Sequence, residues 1–356
     1  MGTAELSCAS LEQLVGQASS VSNDRQDARP TFSVVAVVTQ PDKPKGRDLK
    51  LQPSPVKSLA LKLNLPVLQP SRARDEAFIA ELRRLQPEMI VVVAYGHILP
   101  PAILELPRLG CLNLHTSLLP DYRGAAPIQW AIANGETETG VTVMKMDAGL
   151  DTGPILSQRR TPILPEDDST TLHDRLARLG AELLAQTIPD LVAGNIQPRP
   201  QPAGEFRPAP KIKKEDGRID WNLPAKTLWN RLRAFTPWPG AFTFWFGVPP
   251  SGGNGIRIAE PPEGGTPNTL RPILLKIWIA EVIDCGSDGS PSHSRVVPAR
   301  RPCPGEILSA DKTGIVVACG QDALRILGLQ REGGRRMGAA EFLAGHALKA
   351  GERFEG

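Results

Sequence analysis

The amino-acid sequence predicts an α/β protein: a doubly wound, mostly parallel sheet followed by a small β-barrel. Three observations lead there. The chain has 356 residues, more than one compact domain usually holds. Two β-branched runs, at 34–39 and 89–94, are separated by a helix-like stretch at 74–85, the strand–helix–strand order of a parallel sheet. Beyond a proline- and lysine-rich stretch near residue 210 the apolar runs turn short and are broken by glycine and proline.

Taken in order, residues 34–39, Val-Val-Ala-Val-Val-Thr, read as a buried strand that stops at Gln40-Pro41-Asp42, because proline cannot join a central ladder. Residues 89–94, Met-Ile-Val-Val-Val-Ala, repeat the pattern and end in Tyr95-Gly96. A third apolar segment, 110–115, precedes a helical stretch at 125–134 and a strand at 140–146. The first domain is expected over 1–203. Proline and charge disfavour regular structure between 204 and 217, which reads as the linker. A second domain follows at 218–350, with short strands at 273–278, 314–318 and 324–329. Its Pro/Gly/Ser-rich tracts, 249–271 and 285–304, have little to bury and are expected to loop out.

Hydrophobic residues make up 41% of the chain and charged residues 22%, enough for a packed core and against disorder throughout. The formal net charge of +3 does not by itself imply a nucleic-acid partner, so the placement of charge matters more than its sum. Cys8, Cys111, Cys285, Cys303 and Cys319 have no CxxC pair and no metal-ligand spacing; they read as reduced, buried thiols, and no metal is expected. No apolar run is long enough to span a bilayer, and the first residues lack the layout of a secretory signal. A cytoplasmic monomer is the expectation, or an organellar protein if a targeting peptide lies upstream.

The chemistry concentrates in Asn113-Leu114-His115, then Ser117-Leu118-Leu119-Pro120 and Arg123-Gly124-Ala125-Ala126-Pro127. In open α/β sheets ligands bind beyond the carboxyl ends of strands, which is where this segment falls. Strand side chains alternate, so Asn113 and His115 share a face, and a carboxamide beside an imidazole can stabilise an oxyanion and shuttle a proton. Downstream, Asp147 and Asp151 lie on a glycine-rich loop, where Asp151 is placed to orient His115. The same residues also fit plainer roles: Asn113 and His115 as a hydrogen-bonded strand end, Asp147 and Asp151 as turn residues.

Asn-x-His-x-Ser-Leu-Leu-Pro, Arg-Gly-Ala-Ala-Pro-Ile-Gln, Glu-Thr-Gly-Val-Thr-Val-Met and Met-Asp-x-Gly-Leu-Asp-Thr-Gly together resemble the methionyl-tRNA formyltransferases in wording and order. The resemblance extends to 39–47, 53–57, 94–100, 218–221 and 233–240, nearly the whole chain. It implies a Rossmann-like formyltransferase domain with an OB-like second domain, and places a catalytic triad on Asn113, His115 and Asp151. It implies 10-formyltetrahydrofolate as formyl donor, held by Tyr95, Gly96, His97, Ile98 and Leu99, by Ser117, Leu118, Leu119 and Pro120, and by the loop carrying Asp147. The acceptor it implies is the methionine α-amine of initiator methionyl-tRNA. Asn113 and protonated His115 would donate to the developing oxyanion, with Asp151 holding the imidazolium or relaying a proton through water.

Lys43, Lys45, Arg47 and Lys50 crowd a Gly/Pro loop that can clamp phosphates. The resemblance assigns it to the tRNA acceptor stem, with Arg47 entering that stem. Lys211, Lys213 and Lys214, and farther on Arg331, Arg335 and Arg336, form further basic clusters that would position tRNA without reading bases; each also fits a solvated charged face. Trp221, Trp229 and Trp238 read as core packing near the domain junction.

Two departures from the family stand out. The usual first strand leading into the turn at Gly2-Thr3 is missing, so the true start is expected upstream; and residues 17–31 are long and polar, an expected surface insertion. Two rival functions remain: another 10-formyltetrahydrofolate-dependent formyltransferase acting on a nucleotide-linked amine, which would share the triad, and a non-catalytic RNA-binding relative, which would have no reason to keep a pterin pocket.

Overall fold

The structure, a computed structural model, describes residues 1–19, 32–45, 50–246, 272–285 and 302–356. Arg47, the expected insertion from residue 20 to 31 and nearly all of the two Pro/Gly/Ser-rich tracts lie outside the described residues. The chain divides into two compact units, Met1–Ala131 with Glu136–Lys211, and Ile132–Gly135 with Ile212–Gly356.

The first unit carries α1 (Leu6–Ser19), β1 (Val37–Val38), β2 (Lys43–Lys45), β3 (Lys50–Gln52), α2 (Pro55–Lys62), β4 (Val67–Leu68), α3 (Glu76–Leu85), β5 (Ile90–Val92), α4 (Pro101–Leu104), β6 (Cys111–His115) and β7 (Arg123–Gly124). There follow α5 (Pro127–Ala133), β8 (Glu138–Lys145), β9 (Ile155–Pro162), α6 (Ser169–Val192) and β10 (Pro208–Ala209). Local chemistry sets the helix ends. The Ser54 hydroxyl accepts the Lys57 amide with Pro55 in the first turn of α2, and Asp168 and Thr171 cap α6 reciprocally. Phe78, Ile79 and Leu82 form the buried stripe of α3.

β1 pairs in parallel with β4 and β5 with β6, whereas β8 runs antiparallel to β6 and β9 antiparallel to β8. The parallel character ends there because the chain re-enters beside the end of β6 that it left, Thr142 lying opposite His115. The runs at 34–39 and 89–94 shorten to β1 and β5. Among the described residues, Met1 and Gly2 are what bridges them: Gly2 N–H donates to Val38 O, and Val93 N–H donates to Met1 O. Alongside, an apolar cleft of about 390 Å³ is lined by Val34, Val37, Val56, Leu82, Ile90 and Ile188.

The second unit holds a 3-10 turn at Lys214–Gly217, α7 (Ala225–Ala234), β11 (Ala241–Trp245), β12 (Ile273–Ile283), β13 (Ile307–Asp311), β14 (Gly314–Ala318), β15 (Ala323–Arg331), β16 (Arg336–Gly338), α8 (Ala339–Gly345) and β17 (Phe354–Glu355). The strands form one curled antiparallel sheet, β13-β14-β15-β12-β11-β17 with β16 beside β15, a half-barrel whose outer strands are linked by a single isolated bridge between Glu306 and Arg353. It wraps a core of Trp221, Trp245, Leu275, Ile315, Phe342 and Phe354.

Several expectations need correction. Trp221 is core and Trp229 is half-buried against that core, its ring also contacted by the cations of Lys226 and Arg233, but Trp238 is 57% exposed. Cys303 is exposed, and Cys8 is only half-buried, packed at the margin of the core of Leu11, Val37, Val56 and Ala60; Cys111, Cys285 and Cys319 are buried as expected. The stretch 204–217 is not devoid of regular structure. β10 pairs in parallel with β7 and Lys214–Gly217 forms its turn, since tertiary partners supply the hydrogen bonds that proline denies locally. Among the described residues no helix is long and apolar enough to cross a membrane.

Candidate active site

β6 ends at His115, and its alternation sends Leu112 and Leu114 into the core while Asn113 and His115 face the other way. The chain then turns, the buried Ser117 hydroxyl donating to Asp121 O, and enters β7 through Tyr122 at φ +62°. His115 Nε2 stands 2.9 Å from the Tyr122 carbonyl. A carbonyl only accepts, so Nε2 carries a proton and Nδ1 is the atom left to take one up. Nδ1 faces Asp151 Oδ2 at 3.8 Å.

Asp151 sits in the loop between β8 and β9, in the left-handed region at φ +53°. Its Oδ2 accepts the Gly124 N–H at 2.9 Å and its Oδ1 lies 3.4 Å from Asn113 Nδ2. The His115 and Asp151 side chains are only 7% and 14% exposed, so water screens the pair weakly. Glycine is required on both sides of this contact. A side chain at Gly124, φ +126°, would strike the Ala209 carbonyl, and one at Gly153 would strike the Lys145 carbonyl. Asn113, His115 and Asp151 thus meet in one cluster: a carboxamide with one N–H to spare, an imidazole with a free nitrogen, and a carboxylate able to stabilise the imidazolium.

The loop after β5 is shaped by two positive-φ residues, Ala94 at +45° and Gly96 at +78°. Tyr95 and Leu99 are buried in the core, and burial pushes the Tyr95 phenol up to about 12. Both can offer a ligand only backbone, and the Tyr95 carbonyl already accepts from Gln40 Nε2 and Thr3 Oγ1. Ile98 is 90% exposed, and His97 Nδ1 and Tyr95 Oη are buried with no hydrogen-bond partner among the described residues. Ser117 and Leu119 turn their side chains inward, while Leu118 and Pro120 are half-buried. Asp147 Oδ1 accepts from Gly149 N and Thr152 Oγ1, so this carboxylate closes its own loop, the plainer of the two roles open to it.

Of the expected tRNA contacts, Lys43 and Lys50 stand exposed on the antiparallel pair β2–β3, Lys43 Nζ donating to Gln40 Oε1, and Lys45 pairs with Lys50 in the ladder. Lys211, Lys213 and Lys214 are exposed. Arg335 pairs with Glu341, and the Arg336 guanidinium lies 3.3 Å from the Trp278 ring centre. Sequence reasoning missed Gln201, between Pro200 and Pro202, whose Nε2 donates to the carbonyls of Asp151 and Gly153. It also left Tyr122 unassigned; its positive φ leaves no mark that sequence could show.

The formyl transferase family matches residues 11–188, and the formyl transferase C-terminal domain matches 211–347. The chain belongs to the formyl transferase family. A relative from Trichlorobacter lovleyi named methionyl-tRNA formyltransferase is 45% identical over 99% of this chain and 94% of its own. Two solved structures share the fold: the N-formyltransferase of Helicobacter canadensis, in complex with folinic acid and dTDP-3-aminofucose, with TM-score 0.51 and 16% identity over 91% of this chain and 97% of that one; and HypX of Aquifex aeolicus, in complex with tetrahydrofolic acid, with TM-score 0.50 and 17% identity over 80% of this chain. The chain spans 43% of the length of HypX.

Proposed function

We propose that this protein transfers the formyl group of 10-formyltetrahydrofolate to the α-amino group of methionine on initiator methionyl-tRNA, in the cytoplasm and in support of translation initiation. The observation that carries the reading is the convergence of Asn113, His115 and Asp151 in a chain aligned end to end with a relative of that name. The formyl donor supplies an activated acyl carbon. The protein's part is then positional and electrostatic. The second N–H of Asn113 donates to the formyl oxygen as negative charge develops there, a contribution typically worth about 3 kcal/mol for one such donor. His115 Nδ1 accepts the proton lost by the attacking amine, directly or through one water, and Asp151 holds the resulting imidazolium; as the tetrahedral intermediate collapses the bond between the formyl carbon and N10 breaks, and the same proton passes to N10 of the departing tetrahydrofolate.

The residues present fit a folate. The loop at 94–99 offers the exposed backbone of Gly96, the exposed Ile98 and an unpartnered His97 nitrogen, as a flat, polar-edged ring system requires. Lys43, Lys45, Arg47 and Lys50 are assigned to the acceptor stem, and Lys211, Lys213 and Lys214 to the tRNA backbone. The deciding experiment is transfer of labelled formyl from 10-formyltetrahydrofolate to methionyl initiator tRNA, with dTDP-linked amino sugars and glycinamide ribonucleotide as competing acceptors. Transfer to the tRNA alone, lost in His115→Ala, is expected. Transfer to a nucleotide-linked amine alone would overturn the acceptor, and no transfer to any acceptor by the folded protein would overturn the reading altogether.

A further inference from the structure

Asp151 adopts a conformation that side-chain-bearing residues seldom adopt, at φ +53°, so the surrounding structure has to hold it there. Two attachments do so. The carboxylate is fixed by the Gly124 amide, and the backbone by Gln201, whose Nε2 donates to Asp151 O at 2.7 Å and Gly153 O at 2.8 Å. The Gln201 amide is in turn oriented from behind. Arg123 Nε and a terminal guanidinium nitrogen both donate to Gln201 Oε1, at 3.1 and 2.6 Å. Arginine has no acceptor, so the amide oxygen must face Arg123 and both N–H groups must face the loop. Arg123 is itself stacked on Phe206 at 4.1 Å and precedes Gly124 in the chain. A closed circuit results, Asp151 to Gly124 to Arg123 to Gln201 and back to Asp151, with no donor or acceptor of the Gln201 amide left over. Pro200 and Pro202 flank Gln201 and stiffen the segment that presents it.

The geometry points to Gln201 as a positioning residue for formyl transfer: it sets the loop so that Asp151 meets His115 and Asn113, without touching substrate. The inference rests on Asp151 acting in the proposed reaction. Displacing such a carboxylate by about 1 Å costs on the order of a hundredfold in rate. None of the residues assigned to the tRNA is touched, so with methionyl-tRNA as the varied substrate the loss falls on kcat.

Gln201→Glu keeps the size and the Arg123 partner but turns one acceptor oxygen toward two carbonyls. Gln201→Met keeps the length and removes every hydrogen bond. For both, kcat is expected to fall roughly ten- to a hundredfold, with KM for methionyl-tRNA within about threefold of the natural protein. The acid limb of the kcat–pH profile moves in both, since His115 loses its fixed partner, and deuterium uptake across 147–153 rises while uptake in β6 and β8 stays as it was. A kcat within twofold of the natural protein overturns the inference. So does a kcat loss with neither the pH profile nor the loop uptake altered. If the natural protein transfers no formyl, the proposed function fails while the uptake measurement still decides whether Gln201 holds this loop. Should Gln201→Glu not fold, Gln201→Met carries the same expectations.

Discussion

The cluster around His115 and the strand pair β2–β3 both gather polar side chains, and they are built in opposite ways. His115 is 6% exposed, and its partner Asp151 is tied at both carboxylate oxygens and at its backbone. Lys43 and Lys50 stand exposed on a short strand pair, and next to Lys43 in the chain Asp42 is paired with Lys57 at 2.7 Å. Chemistry on a formyl carbon requires atoms placed to a fraction of an ångström in a weakly screened site. Attraction of a polyanion requires only charge on a surface. Burial therefore marks the first region and exposure the second.

Four expected outcomes sharpen or break this contrast. The largest concerns the buried cluster. His115→Ala should lower kcat/KM about 10²- to 10⁴-fold in the formyl-transfer assay. A loss confined to KM would show that His115 binds and does not react. Next, Gly153→Ala places a methyl group against the Lys145 carbonyl and should cost about 1–3 kcal/mol, read from the urea midpoint. An unchanged midpoint would mean the loop relaxes freely, which the circuit around Asp151 does not allow. Third, the double substitution Lys43→Glu and Lys50→Glu should raise KM for tRNA several-fold and flatten the salt dependence of log KM by about 1–2 units of slope, with KM for the folate unchanged. A fall in kcat instead would erase the distinction between the two regions.

The smallest effect probes a buried carboxylate away from the site. Burial pushes the Asp167 carboxyl up, but hydrogen bonds from Arg175, the Leu164 amide and Thr171, with the Arg175 charge, outweigh it and leave the group below its ordinary 3.8. Such a group stabilises the fold above its unfolded value and ceases to do so as pH falls through its folded one. Asp167→Asn should therefore lower stability near neutral pH and flatten the loss of stability from about pH 5 to pH 3. Parallel denaturation curves for the two proteins over that range would refute this.

Much of this was legible in the residues. The β-branched runs marked β1 and β5, though both proved shorter, pairing with β4 over two residues and with β6 over three. The period-two spacing of Asn113 and His115 told of a shared face. What stayed hidden is instructive. Asp147 and Asp151 look alike in sequence, yet one carboxylate is spent on its own turn and the other reaches Gly124 and Asn113.

By itself the sequence determined the α/β class, through local periodicity, and the family, through motifs spread along nearly the whole chain. Only the tertiary structure decided that Gln201, 50 residues beyond Asp151, holds that aspartate's backbone, that Tyr122 O fixes which imidazole nitrogen is free, and that β10 lies beside β7. The first and last of those contacts join segments far apart in the chain, and the second depends on the turn after β6, where no period exists to be read. Each is chosen by which backbone groups remain unpaired once the sheet has formed.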